Sequence, residues 1–203
     1  MIPQPPGRTD GPAFDPATGV LLASTEDVER LVAGGGAELE AAGAIVAGRP
    51  HPALRPALEA IAAPRAVLVI QTDRGDGRAW LGAEAAALAL PAGDGRVALV
   101  TAARARAHAA IAAACGLDAG WPRPAGDAIL LKVDALARHL AERSVPGIPD
   151  PVARHWRVVD PATASAVEVV IAGAGAWLVV PDGAAVELRP ASGGEIVHHL
   201  QND

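Results

Sequence analysis

The sequence predicts an α+β fold: one antiparallel sheet formed by two pseudo-repeated halves, with helices packed on it. Three observations predict it. Two blocks of short apolar strands, punctuated by Gly- and Asp-containing turns, occupy the middle and the end of the chain. The blocks correspond at a nearly fixed offset: Leu90 with Val179, Val97 with Val186 and Leu99 with Leu188, each 89 residues apart. Each block then ends in a helical stretch, preceded by Thr101 in one and Ser192 in the other.

The elements follow in order. Residues 1–17 carry five prolines and predict a flexible arm. Gly19–Ala23 reads as a strand leading into Ser24-Thr25-Glu26-Asp27, a cap and acidic first turn for a helix bearing Val28, Leu31 and Val32. A second helix is expected from Ala37 to about Val46, and a third around Leu54, Leu58 and Ile61, stopped by Pro64. The pattern then changes period. Strands are expected at 66–71, 78–82, 85–90 and 96–100, with Asp73–Gly77 as a turn. The stretch Glu84–Leu90 has helix-favouring residues, but its partner in the second block, Ala176–Val180, is β-branched and aromatic; a strand is therefore expected in both. Thr101 should cap a helix ending at Cys115-Gly116, and another helix should cover Val133 to Arg143. Strands at 155–159, 166–172, 176–180 and 185–189 complete the second block, and Glu195–Leu200 closes the chain as a helix. The domain reading is an arm at 1–17 and one domain over 18–203, with its repeat at about 52–116 and 133–200.

Composition bounds the function. The 203 residues include 48 Ala and only one Lys, Lys132, against 16 Arg, a bias expected of a G- and C-rich genome. Apolar residues make up 51% of the chain, enough to bury a core at this length. A net charge of −6 argues against a non-specific nucleic-acid binder. The single Cys115 excludes an intramolecular disulfide and a cysteine-cluster metal site. No apolar run approaches the roughly 18–20 residues of a membrane span. Met1–Arg8 lacks the pattern of a signal peptide. The expectation is a cytoplasmic protein with no membrane or nucleic-acid partner.

No catalytic constellation emerges. His198 and His199 point about 100° apart on a helix, and His139-x-x-Glu142 lacks a third ligand at any marked spacing. His108 and Cys115 share a helix face two turns apart, too far for a thiolate–imidazole contact. Gly173-Ala174-Gly175 lies between strands, with no helix N-terminus to hold a phosphate. No metal or cofactor is expected. Trp156 and Trp177, inside apolar strands, read as core; Trp80 and Trp121, next to turns, read equally as core or as interface anchors.

The layout resembles the EspG family, cytosolic chaperones of type VII secretion in actinobacteria. The resemblance is carried by Gly19-Val20-Leu21-Leu22 with Thr25-Glu26-Asp27-Val28, by Leu54-x-x-x-Leu58-x-x-Ile61-Ala62-x-Pro64 followed by Val67–Ile70, and by the late strand pair Ala176–Val180 and Ala185–Leu188. It spans residues 18–200 in pattern and topology. It implies a pseudo-two-fold, non-enzymatic protein, without cofactor, that keeps a PE–PPE-like secretion substrate soluble. The chain is shorter than mycobacterial members, and its loop Thr72–Arg78 is brief where the family's loop contacts the client.

The expected client surface is the exposed sheet face with Asp73, Arg74, Asp76, Arg78 and Trp80. Two other classes compete with it. A small-molecule-binding domain or cofactor-free enzyme would show a deep pocket ringed by His108, His139 or His155. A structural homo-oligomer, a homodimer being the simplest, would show a large self-interface.

Overall fold

The computed structural model describes residues 11–202. Strand pairing in them is antiparallel throughout. The chain runs β1 (Ala13–Asp15), β2 (Val20–Ser24), α1 (Thr25–Val32), α2 (Ala37–Ala41), β3 (Ile45–Val46), β4 (Arg49–Pro50) and α3 (Arg55–Ala62). It continues with β5 (Ala66–Thr72), β6 (Gly75–Leu81), β7 (Ala85–Gly93), β8 (Arg96–Ala103) and α4 (Ala107–Ala114). The second block holds β9 (Ile129–Lys132), α5 (Val133–Ala141), β10 (Val152–Asp160), β11 (Ser165–Ala172), β12 (Gly175–Asp182), β13 (Ala185–Ala191) and α6 (Gly193–Asn202). The fold is α+β, as expected, and all eight strands predicted in the two blocks are present.

Eleven strands form one sheet in the order β1-β2-β8-β7-β6-β5-β10-β11-β12-β13-β9, and β3-β4 form a separate hairpin. The two blocks meet at β5 and β10, registered Trp156 to Thr72, Arg157 to Gln71, Val158 to Ile70 and Val159 to Val69. Period-2 alternation sorts the side chains. On one face Leu68, Ile70, Ala79, Leu81, Trp156 and Val158 join the apolar residues of α4 and α6 in a single cluster. On the other face the cover is split. α1 and α3 enclose Leu21, Ala87, Ala89 and Leu99 over one flank, while Leu136 of α5, Val145 and Ile148 enclose Val170, Trp177 and Val179 over the other.

The alanines of β7 have a packing role. Ala57 and Ala60 of α3 are buried with Ala87 and Ala89, so small side chains on both sides let the helix lie close to the strand. Burial on a pleated surface outweighs the helix propensity of Glu84–Leu90. Ser24 caps α1 reciprocally with Asp27, and Ser192 does the same with Glu195 at α6.

Four expectations need correction. Within the arm expected at 1–17, residues 1–10 lie outside the described residues, and Ala13–Asp15 pairs with β2 as an edge strand. The helix expected from Ala37 to Val46 stops at Ala41, where Gly43 (φ +79°) closes it and Ile45–Val46 turns back as a hairpin. Thr101 is not a helix cap, because β8 stays paired with β7 as far as Ala103. Finally, the Asp73–Gly77 turn contracts to Asp73 and Arg74, since Thr72 already pairs with Gly75. No helix among the described residues is long and apolar enough to cross a membrane.

Candidate partner-binding surface

Because the helices of the split face cover only its flanks, the strip over β5, β6 and β10 lies open. Its floor alternates apolar and charged residues. Arg78 stands between Ala89 and Val69, Asp76 opposite Gln71, and Arg157 between Gln71 and Glu168. Asp76, Arg78, Gln71 and Arg157 are exposed. None of these four side chains makes a hydrogen bond or ion pair to another described residue. Glu168 is occupied, its Oε1 lying 2.8 Å from His155 Nε2.

Toward α1 the strip deepens into a groove of about 620 Å³, walled by Val28, Glu29 and Val32 of α1 and Ile61 of α3, with Trp80, Arg78 and Asp76 on its floor. Val32 leaves 47% of its surface in water, which makes this wall apolar and open. Trp80 is half-buried against the cluster beneath α1 and α3, and its other side lines the groove.

The structure separates the five predicted residues into two groups. Asp76, Arg78 and Trp80 occupy alternate positions of β6 and share the groove. Asp73 and Arg74, at the β5–β6 turn, line a different and smaller cavity with Cys115, Arg154, His155 and Trp156. Asp73 Oδ2 lies 3.7 Å from a guanidinium nitrogen of Arg143, tying the turn to the end of α5. Turn residues point wherever the two-residue connection aims them, and sequence spacing carried no signal for that direction.

The three histidines considered for chemistry do not surround one pocket. His155 lines the small cavity and pairs with Glu168, whereas His108 on α4 and His139 on α5 line neither cavity. His108 is held below the ordinary histidine range by its partial burial and then by Arg104. Burial pushes the Cys115 thiol up to about 12 despite the charge of Arg154, which keeps the sulfur protonated. No cluster of three or more His, Cys, Asp or Glu side chains suited to a metal occurs among the described residues.

Sequence reasoning missed one part of this surface and one strand at the far edge of the sheet. The α1 wall was read only as a helix with an apolar face, without its neighbour β6. Strand β9 was also missed, although Ile129-Leu130-Leu131 before α5 repeats the pattern Val20-Leu21-Leu22 before α1. The chain matches no protein-family model and no curated protein.

Proposed function

We propose that the protein is a non-enzymatic binding protein, an EspG-like chaperone or adaptor. In this reading it seats a protein client on the open strip of its sheet in the cytoplasm. The observation that carries the reading is the groove beside α1: an apolar wall with Val32 and Trp80 exposed in part, and unpaired Arg78 and Asp76 on the floor. Trp and Arg are enriched among the hot spots of protein interfaces, and fixed unpaired charges set register and encounter rate.

The EspG-like duplication is supported by strand order. Outward from the β5–β10 seam the order is β6-β7-β8-β2 on one side and β11-β12-β13-β9 on the other, with β2 leading into α1 and β9 into α5. On this reading the halves begin at β2 and β9, earlier than residues 52 and 133. A PE–PPE-like substrate is the client class that the resemblance implies. The two-residue β5–β6 turn leaves the groove, rather than a long loop, as the main contact.

A second reading is favoured by size: a groove of about 620 Å³ falls within the range of small-molecule sites. Capture from host lysate on immobilised protein separates the two. Wild-type protein should retain a defined client that is lost from Arg78→Ala/Trp80→Ala, a change worth about 2 kcal/mol or more per hot spot. Equal capture by that variant, shown folded by circular dichroism, overturns the assignment of the groove.

A further inference from the structure

β2 and β9 occupy matching places in the sheet: each is the fourth strand out from the β5–β10 seam, and each leads into a helix. Their outer edges differ. β2 is covered by β1, which pairs with it from Ala13 to Asp15. β9 ends the sheet, and no described residue pairs with its outer edge. A bare edge offers backbone N–H and C=O groups to another strand, and folded proteins guard such edges with charges, proline, bulges or a covering segment. β9 has no proline and no break in register, and its one charge, Lys132, stands at the end next to α5.

Apolar surface gathers at the same edge. Ile129 and Leu131 pack against the α5 cluster, while Leu130, on the other face of the strand, is 63% exposed. Val133, the first residue of α5, is 53% exposed. These are two of the four exposed large hydrophobic side chains among the described residues.

We propose that β9 pairs with β9 of a second copy of the chain, antiparallel and centred on Leu130, joining two eleven-stranded sheets edge to edge. The strand is self-complementary in that register. A two-fold contact sets residue i against j and j against i, so the strands run antiparallel. Directly opposed residues share a face, so the axis passes through a residue and not between two. With the axis at Leu130, that side chain meets its own copy on one face, and Ile129 meets the copy's Leu131 twice on the other. Lys132 falls opposite the copy's exposed Ala128, so no like charges are opposed. An axis at Leu131 would set Lys132 against Leu130, and one at Ile129 would set Leu130 against Ala128.

The edge of β1 is the other one open to pairing, but it is three residues long and ends in Asp15, and a contact between β9 and β1 would not close on itself. Pairing through β9 leaves the groove free, because β6 lies six places along the sheet from β9. The inference is therefore independent of what the groove binds.

Sedimentation velocity of the full chain, over about a hundredfold range of concentration, tests it, since so short an edge belongs to the weak class of interfaces. The wild-type mass should rise from one chain toward two and stop there. Leu130→Lys and Leu130→Glu change an exposed position and should keep the wild-type circular dichroism. Each should move the midpoint of association to about tenfold higher concentration, because like charges then face each other across the axis. Mixed in equal amounts, the two variants should associate again, since their opposite charges meet only if position 130 faces itself. A wild-type chain that stays monomeric at every concentration overturns the proposal. So does association unchanged in both variants, a mixture that stays monomeric, or a mass that grows past two chains, as pairing of β9 with β1 would produce.

Discussion

The backbone of Gly193 at the start of α6 lies directly against the carbonyl of Asp118, leaving no room for a methyl group between them. Gly193 N–H donates to the Trp121 carbonyl, so this contact docks α6 beside α4 on the continuous face of the sheet. Gly193→Ala should therefore lift α6 and cost about 1–3 kcal/mol, as overpacking does. The midpoint of urea denaturation measures the loss. An unchanged midpoint would mean that α6 contributes little to the fold.

Trp156 sits at the β5–β10 junction, opposite Thr72, and is fully buried. Trp156→Ala should destabilise the protein by about 3–5 kcal/mol. Because both halves of the sheet share that junction, circular dichroism and tryptophan fluorescence should still report one common transition. Separate transitions for the two signals would show that the halves unfold independently.

The Cys115 thiol, pushed up to about 12 by burial, should resist Ellman's reagent in the native protein at pH 8 and react at once in denaturant. A native-state rate close to that of a free thiol would contradict the packing of α4 against the sheet.

His108 and Glu195 both contribute to the acid side of stability. Burial, then Arg104, holds His108 below its ordinary value of 6.5, so the unfolded chain binds a proton there more readily than the folded one. Stability should fall as pH drops below 6.5 and level off below the folded value. Glu195 is held below its ordinary 4.5 by hydrogen bonds from the Ser192 backbone and hydroxyl and by Arg123. Its contribution is present above 4.5 and lost as pH falls through its lower folded value. His108→Gln should flatten the upper part of a stability–pH curve, and Glu195→Gln the lower part, by a small amount because Glu195 is exposed.

β9 is an edge strand that leaves 63% of Leu130 exposed, and Val133 just after it is 53% exposed. The opposite edge, β1, is only three residues long and ends at Asp15, whose side chain accepts from Ala17 N–H and the Thr18 hydroxyl. An apolar, unshielded edge invites pairing with another strand. Leu130→Lys should slow aggregation on heating, followed by light scattering, without lowering the melting temperature by more than a few degrees.

Local chemistry was decided by the sequence itself. The turns at Asp94-Gly95 and Gly173-Ala174, the Ser24 and Ser192 caps, and the short apolar runs of β5, β8, β11 and β13 are set by residues a few positions apart. The correspondence of the two blocks also placed β7 as a strand against its own propensity. Alternation along β6 put Asp76, Arg78 and Trp80 on one side, but it could not say which side the helices would leave open. That was decided by α1 and α3 settling over β7 and β8, where small alanines permit close approach. The small cavity likewise exists only because β5 pairs with β10, bringing Arg74 to Trp156 from more than eighty residues away. Neighbours along a chain constrain one another through dihedral angles and short hydrogen bonds. Which distant surfaces meet depends on burial summed over the whole core, and no window of residues contains that sum.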